Sequence, residues 1–155
     1  MKISTLFRVL FASLLLIIAI GLSSAADAAT CTLSSKSATF GSVGSDSLSF
    51  HLNATVSTYG TLSYNAYAVP TYYDQYDSVV TSSYEKEVLS GGGQSFPYDF
   101  GVTTSPNPKS DIAIQAPAGA VRYTYHYRIH AEVNQNGTVV VQDNWTSAEG
   151  DSHTL

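Results

Sequence analysis

Apolar and polar residues alternate without interruption along residues 121–133, VRYTYHYRIHAEV. The odd positions carry valine, tyrosine, isoleucine and alanine, whereas the even positions carry arginine, threonine, histidine and glutamate. Alternation at a period of two is typical of a β-strand with one buried and one solvated face, because an α-helix would distribute the same apolar side chains around its circumference. The stretch therefore predicts a long antiparallel strand.

The residues after this strand predict a β-hairpin. Asn136-Gly137 is a strong turn signal, and a second apolar run follows at residues 138–141. A two-residue loop would place Arg128 opposite Trp145, whereas a three-residue loop with a bulge at the glycine would place Tyr127 beside Trp145. We favour the three-residue loop because it turns the valines of the returning strand inward, and a one-residue slip decides which side chains are buried.

Six further segments show strand patterns and are separated by residues that favour turns. We expect Pro70 to end the third segment, the glycines at 91–93 to break the chain after the fourth, and Pro97 to place the fifth at a sheet edge. The fourth segment also suits a short helix near residues 85–87. The six segments cover residues 31–40, 47–56, 62–69, 79–89, 96–102 and 112–114, and a polar tail over residues 146–155 is expected to fray.

The number and spacing of these segments predict the fold class. Seven or eight short strands without a confident helix are typical of an all-β, antiparallel β-sandwich. The long strand resembles the penultimate strand of immunoglobulin-like and fibronectin-III-like domains, which often carry a Y-x-Y-x-[VI]-x-A run before a glycine turn. The matching residues are Tyr125, Tyr127, Ile129, Ala131 and Gly137. The resemblance implies an immunoglobulin-like sandwich in which Tyr123 or Tyr125 is the corner tyrosine, although no cysteine pair joins the sheets and Tyr67 replaces the usual tryptophan of the third strand.

The N-terminal residues predict export of the chain. Lys2 and Arg8 precede a charge-free apolar run over residues 9–22, and Ala26-Asp27-Ala28 has the form of a signal-peptidase site. We expect a secretory signal peptide at residues 1–28 and a single mature domain over residues 29–155, secreted or otherwise extracytoplasmic. The apolar run is short for a membrane anchor, so we expect no membrane span after cleavage.

Net charge and cysteine content restrict the possible partners. The formal net charge is −5 at pH 7, and cleavage of the signal peptide makes it more negative because that segment is basic. Such a chain is poorly suited to nucleic acid or anionic lipid, both of which are bound by clustered lysine and arginine. Cys31 is the only cysteine, so we expect a free thiol or a dimer joined through Cys31.

The titratable side chains of the long strand do not predict a catalytic or metal site. His126 and His130 lie about 13 Å apart on a strand, too far to share a metal ion. Together with Arg122 and Arg128 they form a candidate basic stripe that would gain charge at low pH. The sequence has no G-x-S-x-G motif and no recognisable set of nucleophile, base and acid. We assign no catalytic residue, no metal and no cofactor.

The most unusual composition lies at residues 72–77, YYDQYD, just after the expected end of a strand. Tyrosine offers rigid apolar area with a polar tip, which suits binding loops, and carboxylates accept hydrogen bonds from ligand hydroxyls. We predict a ligand-binding surface formed by Tyr72, Tyr73, Asp74, Tyr76 and Asp77. The alternative is that these tyrosines pack against their own sheet.

These observations favour a secreted, non-catalytic binding or cell-surface module whose ligand is a protein or a carbohydrate. Two other classes stay open. One is a small secreted hydrolase. The other is a structural subunit that assembles by strand exchange, because Cys31 with the downstream Phe40-Gly41 resembles the start of secreted pilin subunits, although the partner cysteine of those proteins is absent.

Overall fold

The chain folds into two antiparallel β-sheets around an apolar core in a computed structural model that describes residues 28–41, 46–56, 59–93 and 97–155. The smaller sheet has the strand order β1-β2-β6. In the larger sheet β3 and β7 are central, β4 and β5 pair with the other side of β3, and β8 and β9 pair with the other side of β7. The strands are β1 (Thr30–Thr39), β2 (Ser47–Thr55), β3 (Gly60–Tyr73), β4 (Val79–Val80), β5 (Lys86–Gly93), β6 (Tyr98–Thr104), β7 (Arg122–Gln135), β8 (Thr138–Thr146) and β9 (His153–Thr154).

The predicted all-β sandwich is confirmed, and β6 lies at a sheet edge, as Pro97 predicts. The predicted signal peptide and its cleavage site fall at residues 1–28, of which only Ala28 is among the described residues. No helix within the described ranges is long and apolar enough to cross a membrane.

The core is built from the alternating faces of β2 and β7. The apolar residues of β2 are at most 2% exposed, and those of β7 from Tyr123 to Val133 are at most 3% exposed. Each strand directs every second side chain inward, as the sequence pattern predicts. Val121 is the exception: it lies outside β7 and is 42% exposed.

A buried carboxylate joins the core of the large sheet to the chain just before β2. Asp46 is 2% exposed and accepts hydrogen bonds from the hydroxyls of Tyr125 and Tyr127, the latter at 2.6 Å. It also accepts bonds from the Lys109 ammonium and the Gly41 backbone N–H, each at 3.0 Å. Burial alone would raise the pKa of Asp46, but these hydrogen bonds together lower it below its ordinary value of 3.8. The ionised carboxylate is therefore stabilised by four donors from three parts of the chain.

The two candidate corner tyrosines bind different groups. Tyr123 donates its hydroxyl proton to the backbone carbonyl of Lys109 at 3.2 Å, whereas Tyr125 bonds to the Asp46 carboxylate. Tyr123 is therefore the tyrosine of the pair that ties β7 back to an upstream backbone group.

The turn between β7 and β8 differs from the three-residue loop that we favoured. Asn136 and Gly137 form a two-residue turn with φ angles of 53° and 81°, which is the backbone that this dipeptide favours in hairpins. A register shift follows between Val133 and Asn134, so Trp145 pairs with Ile129 rather than lying beside Tyr127. The predicted loop length is wrong because the bulge lies in the strand after the turn.

The expected strand at residues 112–114 and the expected break at the glycines 91–93 are both wrong, and the expected strand at residues 79–89 is divided between β4 and β5. The expected short strand at residues 112–114 is part of a helix, α1 (Lys109–Ile114). Ile112 is fully buried and Ile114 is 77% exposed, so the two isoleucines do not share a face. The glycines at 91–93 continue β5 instead of ending it, and they pair with residues 62–64 of β3. A Cβ at Gly91 would lie 2.2 Å from the hydroxyl oxygen of Tyr64. Glycine there permits close approach of a ring.

The polar tail does not fray but extends the pairing of β7. The Ser147 N–H donates to the Tyr127 carbonyl and the Gly150 N–H donates to the Tyr125 carbonyl, each at 2.9 Å. Strand β9 then pairs with the start of β7. Backbone hydrogen bonds that the sequence pattern does not reveal therefore hold the tail in place.

Candidate functional site

Strand β3 continues through Pro70, which we expected to end it, and this decides where the predicted binding residues lie. Pro70 pairs with Tyr125 of β7. On the other side of β3, pairing with β5 ends at Ala68 and pairing with β4 starts at Tyr72. The missing N–H of Pro70 therefore lies in the gap between these two partner strands. Tyr72 and Tyr73 consequently belong to a strand and not to a loop.

Tyr72 is a core residue and not a ligand contact. Its side chain is 1% exposed, and its hydroxyl donates a 2.7 Å hydrogen bond to the carbonyl of Ile112 in α1. Burial raises the pKa of Tyr72 to about 12, with smaller contributions from nearby tyrosines. The expected position of Tyr72 on an exposed loop is wrong, because the side-chain alternation of β3 turns this ring inward.

Tyr73 and Asp77 are joined by one arginine on the outer face of the large sheet. The guanidinium carbon of Arg122 lies 3.9 Å from the centroid of the Tyr73 ring, in a cation–π contact. Its Nε and Nη2 atoms donate to Asp77 Oδ1 at 3.0 and 2.9 Å. Through Arg122, these two predicted site residues stabilise the loop between β3 and β4.

Asp74 organises the loop between β3 and β4. Its Oδ1 atom accepts hydrogen bonds from the backbone N–H groups of Tyr76 and Ser78 at 2.8 and 2.9 Å. The backbone N–H of Asp74 also donates to the Ser78 carbonyl at 2.9 Å. This carboxylate holds its own turn, as aspartate commonly does, while Oδ2 has no partner among the described residues.

Tyr76 is the predicted residue that the fold presents to solvent. Its side chain is 78% exposed at the tip of the loop. Together with Asp74 and Gln75 it borders an open cavity of about 430 Å³ whose other wall is formed by Gly119 and Val121. The loop before β7 is fixed beside it by a 2.8 Å hydrogen bond from the Val121 N–H to the Tyr73 carbonyl. We call these five lining residues the loop surface.

Of the five residues of the loop surface, only Asp74 and Tyr76 were predicted as binding residues. Val121 was assigned to the apolar face of the long strand, and Gln75 and Gly119 were not assigned to the site. The only sequence signal that Val121 could be exposed is its position at one end of the alternating run. The residues that lie across the cavity from it are determined by the pairing of β3 with β7.

Three of the four residues of the candidate basic stripe on β7 are paired with carboxylates, one of them being Arg122, which binds Asp77. Arg128 Nη2 lies 2.6 Å from Glu85, and His130 Nε2 lies 3.0 Å from Glu132. Burial opposes protonation of His130, but its hydrogen bonds to Glu132 and Asn144 raise its pKa. The stripe is therefore not an unpaired basic surface. Within the described ranges, no cluster of three histidine, cysteine, aspartate or glutamate residues is placed to hold a metal ion.

The possible dimer through Cys31 is not supported. The residue is 7% exposed and its side chain belongs to the core. Burial, with the nearby charge of Asp143, raises the pKa of the thiol to about 11, so the reactive thiolate is scarce at neutral pH. A buried, protonated thiol is a poor partner for an intermolecular disulfide.

No protein-family model and no curated protein sequence matches this chain. Among solved structures, it is similar to β-glucosidase 3B from Thermotoga neapolitana in complex with glycerol, at 8% sequence identity and a TM-score of 0.40, with 82% of this chain covering 17% of that one. It is also similar to a β-glucosidase from Streptomyces venezuelae in complex with D-glucose, at 10% identity and a TM-score of 0.35, with 76% of this chain covering 15% of that one. The chain thus spans less than a fifth of either enzyme.

Proposed function

We propose that this protein is a secreted, non-catalytic binding module that holds a carbohydrate against the ring of Tyr76 on the loop surface. The observation that carries the proposal is the 78% exposure of this ring beside an open cavity. Secretion is supported by the N-terminal signal sequence, and binding at a loop is supported by the rigid sandwich beneath it.

Hydrogen bonds within the chain hold the loop of Tyr76 in place. Asp74 fixes the backbone of Tyr76 and Ser78, while the side chain of Asp77 is bound by Arg122. An aromatic ring on such a loop loses little conformational entropy when a ligand contacts it.

The chemistry of the lining favours a sugar. A tyrosine ring provides a flat apolar face, and the free Oδ2 of Asp74 and the amide of Gln75 can exchange hydrogen bonds with hydroxyl groups. A protein epitope is the second candidate, because Val79 and Val121 are also exposed, at 63% and 42%.

The test compares two exposed tyrosines. Tyr76→Ala should weaken binding to an array of neutral oligosaccharides about five- to thirtyfold, which corresponds to the loss of roughly 1–2 kcal/mol of contact. Tyr59→Ala is the matched control, because Tyr59 is 80% exposed and lies at the opposite end of β3. Thermal melts of both variants should match the wild type.

Retained binding in a folded Tyr76→Ala variant would contradict the proposal. Absence of glycan binding by the wild type, together with Tyr76-dependent capture of a protein partner, would favour the second candidate.

A further inference from the structure

Three of the sheet edges in the described part of the chain carry features that discourage another strand from pairing. On β1, the Leu33 N–H is bound by Asp143 Oδ2 at 2.8 Å and its carbonyl by the Lys36 ammonium at 2.9 Å. The pairing of β8 with β7 contains a bulge. The pairing of β5 with β3 also contains a bulge, and Gly92 of β5 has a φ of 151°. Such irregularities and side-chain contacts protect an edge.

Strand β6 lacks these features. It pairs with β2 over seven residues without a register shift, and no described residue forms a hydrogen bond with its outer edge. Alternate residues of an edge strand direct both backbone groups outward, so β6 presents a regular row of donors and acceptors.

Among the described residues, no contact requires glycine at Gly101, in the middle of β6. A Cβ at this position would meet only His51 Cδ2, at an ordinary contact distance of 3.9 Å, and the φ angle is not in the left-handed region. This contrasts with Gly91, where a Cβ would overlap a tyrosine. Glycine inside a strand often marks a place where another backbone approaches closely.

We infer that β6 pairs antiparallel with β6 of a second copy, about a two-fold axis at Gly101. In this register Asp99 lies opposite Thr103 of the second copy, and Phe100 lies opposite Val102. Across the interface, exposed residues therefore lie opposite exposed residues, and partly buried residues lie opposite partly buried ones. No like charges face each other, and no side chain occupies the axis. The result is one continuous sheet of six strands, three from each copy.

The charge pattern of β6 gives a direct test by sedimentation. The wild-type protein should dimerise reversibly as its concentration rises. Thr103→Asp places a carboxylate opposite Asp99 of the other copy, twice by symmetry, and should weaken the dimer about tenfold. Adding Asp99→Lys to Thr103→Asp restores opposite charges and should recover dimerisation.

Thr32→Asp is the matched control, because it adds the same charge at an exposed position on β1, at the other edge of the same sheet. It should dimerise like the wild type, and thermal melts should confirm that every variant is folded. A wild-type protein that stays monomeric at all concentrations would overturn the inference. Equal weakening by Thr32→Asp, or a folded double variant that does not recover, would overturn it as well.

Discussion

Removing the Asp46 carboxylate should destabilise the protein more than most single substitutions. Asp46→Ala leaves the hydroxyls of Tyr125 and Tyr127, the Gly41 N–H and the Lys109 ammonium without their shared acceptor. A buried donor without a partner costs roughly 1–3 kcal/mol, and breaking a buried charged pair costs about 3–5 kcal/mol. Water molecules that enter the site would bind some of these donors, so the separate costs do not add in full. We therefore expect a loss of about 3–5 kcal/mol in the free energy of unfolding.

Acid titration provides a second measurement of the same carboxylate. The pKa of Asp46 in the folded protein lies below its ordinary value of 3.8. The stability that depends on its charge is therefore fully present above pH 3.8 and is lost as the pH falls through the lower folded pKa. Asp46→Asn, which keeps the shape of the side chain, should be less stable at pH 7 and should lack this part of the acid-induced loss.

Urea unfolding at pH 7 and thermal melts between pH 2 and pH 7 would measure both effects. Lys109→Met is the comparison, because the Lys109 side chain is 16% exposed and its loss leaves the two tyrosine bonds intact. It should cost less than Asp46→Ala. A loss below about 1 kcal/mol for Asp46→Ala, within the range of ordinary surface changes, would refute the assignment of Asp46 as the central acceptor.

Two further predictions concern the core. Ile129→Ala should lower the free energy of unfolding by about 2–5 kcal/mol, whereas the partly exposed His130→Ala on the opposite face should cost under about 1 kcal/mol; equal losses in urea unfolding would contradict the assigned faces. Cys31 should resist iodoacetamide in the native protein and react after denaturation, and non-reducing gels should show a single chain; rapid labelling of the native thiol would contradict its burial.

Backbone periodicity explains why the two best strands were predictable. Residues 47–56 and 121–133 alternate because one face of each strand is buried, and this pattern does not depend on which strands are neighbours. Val121 was assigned to the buried face because it continues the alternation, yet β7 begins one residue later.

Pairing partners explain why other elements were not predictable. Pro70 normally ends a strand, but here its missing N–H lies where neither β4 nor β5 pairs with β3. The alternation of Ala66, Ala68 and Tyr72 does continue past Pro70, and it was the available signal that Tyr72 is buried. No comparable signal exists for Gly119, whose position beside Tyr76 is determined by tertiary structure.

The pairing of the tail with β7 has a consequence for the order of folding. The carbonyls of Tyr125 and Tyr127 obtain their partners from Gly150 and Ser147, and the start of β7 is paired with β9. During synthesis these residues emerge after strands β3, β4, β5, β7 and β8 of the same sheet. The first half of β7 therefore stays open on one side until residues 147–154 have emerged, whereas β8 already pairs with its second half. A chain truncated before Ser147 should be more prone to misfolding and aggregation than one that includes these residues.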